Sequence, residues 1–210
     1  MIIANLLDKR LSNKYKNLNM TKLPSTSCEE KRIKEIDLLA YKRIYEYNIK
    51  KEFYSYITKQ FYYALARKEL SKYLQHGNTN IMRHCRNVAY LSFVCAKMLE
   101  KKFGFKFDYK ALVIGAYLHD LFMYDWHEKN GEHRLHGFSH PKIASKNAKR
   151  LCNITQKEQS IIESHMWPLT ITKIPKSKEA FLVCLIDKHS ALIETFAWKL
   201  LLLKKIFQFR

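Results

Sequence analysis

The chain has 210 residues, and its 38 Lys and Arg against 19 Asp and Glu give a formal net charge of +19. The same two-to-one excess holds in residues 1–75 and in residues 76–210, so no basic arm stands out. The charge therefore leaves two interpretations open, a solvated basic surface or a surface that attracts polyanions. Five glycines and four prolines favour long helices over strands and turns, and we predict an all-α fold.

Cysteine usage and apolar runs bear on the compartment. The five cysteines are far apart and form no CxxC pair, which argues against a zinc knuckle and a disulfide framework and favours a reducing cytoplasm. The opening MIIANLLDKRL has too short an apolar run for a signal peptide. The apolar residues 197–203 fall short of the roughly 20 residues that a membrane span needs. We expect a soluble, cytoplasmic protein.

A helical extension is predicted in the first part of the chain. Ser27 followed by Glu30 is a capping-box pattern, and it precedes a helical pattern from about Cys28 to Tyr56. Tyrosines and phenylalanines recur along this pattern and continue to Tyr63. Such a stripe predicts a packing surface, against the rest of the fold or a second subunit, with a membrane-surface or base-stacking role as the alternative.

The next helix is predicted from about Asn80 to Lys102, and Gly104 is predicted to end it. Its buried face is predicted from the spacing of five apolar residues: Val88, Leu91, Val94, Cys95 and Met98. His84 lies four residues before Val88, so we expect it to point to the same inward face.

A second apolar helix and a polar loop follow. Asp108 is predicted to cap a helix that ends at the pair His119-Asp120. Residues 122–139 are polar and aromatic and include three histidines, and we interpret this stretch as a loop across the mouth of a site.

Three further helix starts are visible. Pro141 is predicted at the first position of a helix that extends to about Arg150. Thr155 with Glu158 is another capping box and predicts a helix that ends near Met166. The last long helix is predicted from about Lys178 to Phe207 and carries Asp187.

Six residues of metal-ligand type lie in or beside these helices, with 20 to 35 residues from one site to the next. They are His84, the adjacent pair His119 and Asp120, His140, His165 and Asp187. When several helices of one bundle direct imidazoles and carboxylates to a common point, the result is a metal centre. Nitrogen and oxygen ligands without clustered cysteines suit a catalytic divalent ion rather than a structural zinc.

Singly, most of these residues have a simpler interpretation. His84 alone is better explained as a core histidine, and a His-Asp dipeptide occurs by chance. Asp187 lies in the apolar run FLVCLIDKHSALI, where a buried carboxylate requires either a metal ion or a salt bridge, for example to Lys188 or His189. The set as a whole favours a metal. His140 and His165 are enough for a second ion, which Asp120 can bridge to the first.

The same residues carry a family resemblance. The chain resembles the HD-domain superfamily of metal-dependent phosphohydrolases, whose signature is His, then His-Asp, then Asp on a helical bundle. The matching segments are IMRHCRNVAYLSF, GAYLHDL and LIDKHSA, with the extra histidines in GFSHPKIA and IIESHMWPL. The resemblance covers roughly residues 74–195. It leaves residues 1–73 as a lead-in and helical extension, and residues 196–210 as the end of the last helix.

The resemblance implies phosphoester hydrolysis by a metal-bound hydroxide, with His119 and Asp120 as the catalytic pair. One or two ions of manganese, iron, zinc or nickel fit the ligand types. The expected substrate is a nucleotide or related phosphorylated small molecule, cleaved as a monoester or a diester. No GYP-type motif follows His165, which argues against a cyclic dinucleotide phosphodiesterase, and the His-Asp pair lacks the acidic pattern of alarmone hydrolases. The segments QHGNTNIMRH, HDLFMYDWH and HGFSHPKIA look most like small bacterial HD proteins without an assigned substrate. Lys129, Arg134 and His136 are candidate phosphate contacts, or exposed loop residues without a role.

Two other functions and one assembly stay open. Some similar HD-type folds use the same six ligands for a di-iron centre in oxygen-dependent cleavage. A non-catalytic, basic nucleic-acid-binding module would explain the charge and the aromatic extension. The aromatic N-terminal helices are a possible surface for a homodimer.

Overall fold

The computed structural model describes residues 43–57, 70–126 and 135–208, with side chains described as far as Lys199. Residues 43–57 form helix α1, which is followed by a short hairpin and five further helices. Their bounds are β1 Leu74–His76, β2 Thr79–Asn80, α2 Ile81–Phe103, α3 Tyr109–Leu118, α4 His136–Cys152, α5 Gln156–Ser164 and α6 Lys178–Gln208. The predicted all-α fold is confirmed, with the hairpin as the one sheet among the described residues.

The chain divides into two units, Met1–Tyr47 and Asn48–Arg210. Of the first unit the structure describes residues 43–47, which are helical. The second unit contains the hairpin and α2 to α6. The predicted capping box at Ser27 and Glu30 lies outside the described residues, and the predicted domain limits after residues 73 and 195 stay predictions.

The hairpin lies directly before α2 and is fixed against α6. Its strands are antiparallel, with Leu74 opposite Asn80. The turn residue Gly77 has φ +59°, and a Cβ atom there would lie 2.5 Å from Cβ of Trp198. Only glycine combines this conformation with so close an approach. Asn80 then caps α2 by accepting a hydrogen bond from the Arg83 N–H at 2.8 Å.

Helix α2 has the predicted bounds within one residue and ends at Gly104, but its buried face differs from the prediction. Leu91 and Met98 are exposed, and Val94 and Cys95 are only partly buried. The buried side chains are instead Ile81, Met82, His84, Cys85, Val88, Ala89, Ser92, Phe93 and Ala96. The contact face is centred on the small residues Ala89, Ser92 and Ala96, and an inference based on large apolar residues misses such a face.

Helix α3 is the central helix of the second unit. Asp108 caps it as predicted, accepting from the Ala111 N–H at 3.0 Å. Every residue from Ala111 to Leu118 is buried, as expected for a helix surrounded by others. A Cβ atom on Gly115 would lie 2.8 Å from Cγ2 of Ile161 in α5, so glycine permits the close contact of α3 with α5.

Helix α4 begins earlier than predicted. Its first residue is His136, so Pro141 lies inside the helix rather than at its first position, and residues 136–139 of the predicted loop are helical. Phe138 and Ser139 both donate backbone hydrogen bonds to the Leu135 carbonyl and so form the first turn. Pro141 removes one later helical bond, which this already formed turn tolerates.

The remaining helices agree with the prediction. Both hydrogen bonds of the capping box Thr155–Glu158 are present at the start of α5, and α6 extends from Lys178 to Gln208. In α1, Phe53 is buried with its ring 5.9 Å from that of Phe93, so part of the aromatic stripe is packing surface. No helix in the described parts of the chain is both long and apolar enough to cross a membrane.

We expect Gly115→Ala to destabilise the protein although alanine favours helices. The added methyl group collides with Ile161, and overpacking of this kind costs about 1–3 kcal/mol in the free energy of unfolding. Urea denaturation followed by circular dichroism measures the change. Lys110→Ala, at an exposed position of the same helix, is the control and should change the stability by less than about 0.5 kcal/mol. Equal stability of both variants would contradict the close packing of α3 on α5.

Candidate metal centre

The pair His119-Asp120 follows the last residue of α3 and lies at the middle of a buried polar cluster. His119 is fully buried and Asp120 is 2% exposed. Because α3 is buried on all sides, the residues that directly follow it remain inside the protein. A carboxylate in such surroundings is costly unless cations or several donors face it.

His84 of α2 and Asp187 of α6 complete a first group with this pair. The Asp187 Oδ1 atom lies 3.0 Å from Nε2 of His84 and 3.4 Å from Nε2 of His119. The Asp120 Oδ2 atom lies 3.4 Å from Nε2 of His119 and 3.9 Å from Nε2 of His84. Two imidazoles and two carboxylates from three helical segments therefore meet at one point.

His140 of α4 and His165, which follows α5, form a second group with Asp120. The Asp120 Oδ1 atom lies 3.3 Å from Nε2 of His140 and 3.6 Å from Nε2 of His165. Asp120 thus directs one carboxylate oxygen to each group. The six residues predicted from the sequence are all brought together.

The four rings are oriented by hydrogen bonds at their outer nitrogens. Three rings donate from Nδ1 to a backbone carbonyl: His119 to Ala116 (2.7 Å), His140 to His136 (2.8 Å) and His165 to Ile162 (2.7 Å). Nδ1 of His84 lies 2.9 Å from Oε2 of Glu194. Since a carbonyl only accepts, the rings of His119, His140 and His165 carry a proton on Nδ1. The Nε2 atoms of all four rings face the cluster.

Some inner atoms of the cluster have no suitable hydrogen-bond partner. Nε2 of His140 and Nε2 of His165 are 2.8 Å apart, so a proton or a metal ion is needed between them. Asp120 Oδ1 and His119 Nε2 are buried without a hydrogen-bond partner within the described residues. Three overlapping groups of three residues each have ligand atoms within 4.8 Å of one another. These nitrogen and oxygen atoms can hold a divalent transition ion.

The electrostatics also favour a cation here. Burial disfavours the charged ring of His84, but hydrogen bonds to Asp187 and Glu194 outweigh it and raise the pKa to about 10. Despite burial, the charge on His119 keeps the pKa of Asp120 well below its usual range. Burial, together with the charges on His119 and His140, lowers the pKa of His165 to about 3. The Asp120 carboxylate, despite burial, likewise raises the pKa of His119 well above its usual value. In the metal-free protein the two ionised carboxylates are thus balanced by protonated rings, whose positive charge a divalent cation can replace.

The alternative of a local salt bridge for Asp187 does not hold in the structure. Nζ of Lys188 donates instead to the backbone carbonyls of His165 (2.8 Å) and Cys184 (3.3 Å). Within the part of the chain that the structure describes, the ion-pair partners of Asp187 are His84 and His119.

A family model for the HD domain matches residues 81–192. The chain belongs to the HD-domain family. The resemblance seen in the sequence is therefore confirmed, and the match contains all six clustered residues. No curated protein and no solved structure matches the chain.

Gln75 and Glu194 lie outside the matched residues 81–192 and hydrogen-bond to the cluster, and the sequence analysis missed both. Gln75 of β1 donates from Nε2 to Asp120 Oδ2 at 2.5 Å. Glu194 of α6 accepts from His84 and from Asn87 Nδ2, the latter at 3.2 Å. Glu194 lies seven residues after Asp187, a spacing that places both on one helix face and could have revealed it. No comparable signal precedes Gln75.

An aromatic stack lies beside the second group. The ring of His136 stacks on that of His140 (4.4 Å between centroids, 17° between planes) and on that of Trp126 (5.1 Å, 11°). The Tyr124 hydroxyl lies 2.9 Å from Nδ1 of His136. Of the three predicted phosphate contacts, His136 is thus next to the cluster, whereas Lys129 and Arg134 lie outside the described residues.

We expect Glu194→Ala to weaken metal binding to the HD domain by about 10–100-fold, because it removes the acceptor that orients His84. Competition with a chromophoric chelator measures the dissociation constant for Zn²⁺ or Mn²⁺. Glu194→Gln keeps an acceptor oxygen and serves as the matched variant, with a smaller loss. Unchanged affinity in both variants would show that His84 needs no such orientation.

We also expect metal affinity to fall with pH. The pKa of His84 is raised to about 10 in the metal-free protein, so below that pH the ring carries a proton that a bound ion must displace. This displaced proton alone makes the affinity about tenfold weaker for each pH unit below 10. His119, whose pKa the Asp120 carboxylate raises well above its usual value, adds a second proton and makes the dependence steeper. The same competition assay between pH 6 and pH 9 tests this, and a flat profile would contradict the protonated state of His84.

Proposed function

We propose that the chain is a metal-dependent phosphohydrolase of the HD-domain family, with a nucleotide or related phosphorylated small molecule as substrate. The observation that carries the proposal is the position of Asp120, with one oxygen facing each of two ligand groups. This position supports a pair of ions that share Asp120, the arrangement that two-metal hydrolases use.

In this proposal His84, His119, Asp120 and Asp187 hold one ion, and His140 and His165 hold a second with Asp120. When bound, the ions supply Lewis acidity and a lowered pKa for coordinated water. The hydrogen bonds at Nδ1 keep the four imidazoles in one orientation. The reaction consumes one water and converts the phosphoester to an alcohol and a phosphate.

The surroundings of the cluster suit an anionic substrate. The net charge of +19 attracts phosphorylated molecules by long-range electrostatics, which requires no particular sequence motif. We assign His136 a role in contacting the phosphate or leaving group, since it stacks between His140 and Trp126. Lys129 and Arg134 stay candidates for the same role.

A reducing, cytoplasmic location belongs to the same proposal. The described cysteines Cys85, Cys95, Cys152 and Cys184 are free thiols. Burial raises the pKa of the Cys152 thiol to about 11 and leaves it a neutral side chain rather than a reactive thiolate.

We expect Asp120→Asn to abolish the shared carboxylate while it keeps the shape of the side chain. Elemental analysis should find up to two ions per wild-type chain and at most one in the variant, because the amide offers one oxygen. A panel of nucleotide monoesters and diesters should show kcat/KM lowered at least about 100-fold.

Glu100→Gln is the matched control, a carboxylate-to-amide change 16 residues after His84 along α2, and it should change neither quantity. Absence of metal and of hydrolysis in the wild type, after metal addition, would refute the proposal. Optical bands of a mixed-valence di-iron centre with oxygen uptake on a polyol or phosphonate would assign an oxygenase instead. Salt-dependent nucleic-acid binding without turnover would assign a binding module.

A further inference from the structure

Helix α6 has apolar side chains on two opposite faces. One face carries Val183, Cys184 and Asp187 into the interior. The opposite face carries four large apolar side chains that are 48–71% exposed: Phe181, Leu185, Leu192 and Phe196, here called the outer stripe. At 3.6 residues per turn these four lie within an arc of about 60° and along about 22 Å of helix. A helix that is apolar on both sides is typical of one buried on both sides.

The outer stripe reads the same in both directions. Three residues separate Phe181 from Leu185, and three separate Leu192 from Phe196; six residues lie between the two leucines. The midpoint of this symmetric pattern falls between Lys188 and His189. A two-fold axis at this midpoint would place Phe181 opposite Phe196 of a second copy, and Leu185 opposite Leu192. We propose that α6 pairs antiparallel with α6 of a second copy, and that the outer stripe is the centre of a two-fold homodimer.

The charges near the stripe are compatible with this pairing. At the midpoint, the Lys188 ammonium is directed to the carbonyls of His165 and Cys184 in its own chain. At the N-terminal end, Nζ of Lys178 lies 5.4 Å from the centroid of the Phe107 ring. Neither ammonium group has to be buried between the two copies. The axis also places the exposed Lys199 opposite Lys178 of the second copy, beyond the ends of the stripe, where water can solvate both cations.

The area fits a weak dimer. Together with Ile193, which is 53% exposed, the stripe offers on the order of 500 Å² of apolar surface, near the upper end of the largest apolar patch on a typical monomer. A stable interface buries about 800 Å² from each partner, so the exposed residues around the stripe must contribute the rest. We therefore infer association in the micromolar range.

The two-fold pattern distinguishes a second copy from other occupants. A protein with a net charge of +19 also attracts anionic membranes and acidic partners. Neither of these requires a stripe that is symmetric about its midpoint, whereas an isologous interface does. The inference rests on α6 alone and is independent of the proposed phosphohydrolase activity.

Sedimentation equilibrium of the full chain tests the dimer. The wild type should dimerise, and Leu185→Glu with Leu192→Glu should weaken dimerisation at least about 100-fold, since it places carboxylates opposite one another. The matched control is Leu91→Glu with Met98→Glu, the same change at the same seven-residue spacing on exposed positions of α2, and it should remain dimeric. An unchanged metal content and circular dichroism spectrum show that each variant is folded.

Salt gives an independent readout. Self-association of two +19 chains should strengthen when NaCl is raised from about 50 mM to about 500 mM, because salt screens their repulsion. Binding to an anionic partner or membrane would weaken over the same range.

Cysteine cross-linking tests the register. In the antiparallel pair, two copies of residue 181 are about 22 Å apart along the helices, whereas residue 181 of one copy faces residue 196 of the other. Neither Phe181→Cys nor Phe196→Cys alone should form a new disulfide-linked dimer. A mixture of the two variants should form one, because cysteines that face each other across the pair are close enough to bond. The wild type under the same oxidation gives the baseline for its native cysteines.

Three results would overturn the proposal. A wild type that is monomeric at about 100 μM, well above micromolar association, excludes the dimer. A dimer that persists in Leu185→Glu with Leu192→Glu assigns the interface elsewhere, for example to the predicted N-terminal surface. Co-sedimentation with anionic phosphatidylglycerol vesicles, lost in that variant and without any dimer, assigns the stripe to a membrane surface.

Discussion

The architecture depends on one constraint, the need to hold the buried carboxylate of Asp120 among imidazoles. A lone anion at 2% exposure would destabilise the fold severely. Four rings from four different segments surround this carboxylate and Asp187, and each ring is fixed from outside at its second nitrogen. The packing of α2, α4, α5 and α6 around α3 can therefore be understood as the framework that brings these rings to one point.

The sequence predicted the centre better than its surroundings. His84 and Asp187 could be assigned to the interior because they lie on helices with clear periodicity, and His119-Asp120 because it ends an apolar helix. Gln75 could not be found in this way, because it reaches Asp120 from a three-residue strand whose position depends on the contact of Gly77 with Trp198. Contacts set by tertiary packing have no local pattern in the sequence.

The same distinction explains the errors in the fold. Helix ends with a chemical signature, at Asn80, Gly104, Asp108 and Thr155, were predicted within a residue. The buried face of α2 was misplaced because small residues form it, and small residues carry little hydrophobic signal. The start of α4 was misplaced because Pro141 resembles a first helical residue, whereas the preceding polar turn is helical. That turn contains His136 and His140, whose rings stack beside Asp120.

The contact of Gly77 with Trp198 joins two parts of the chain that lie on either side of the matched HD segment. The hairpin that presents Gln75 lies ahead of residues 81–192, and both Glu194 and Trp198 lie beyond them. A fragment cut to the matched residues 81–192 would keep all six clustered residues but would lose Gln75 and Glu194, which hydrogen-bond to Asp120 and His84. In this chain, the smallest portion that preserves the geometry of the centre is longer than the segment by which its family is defined.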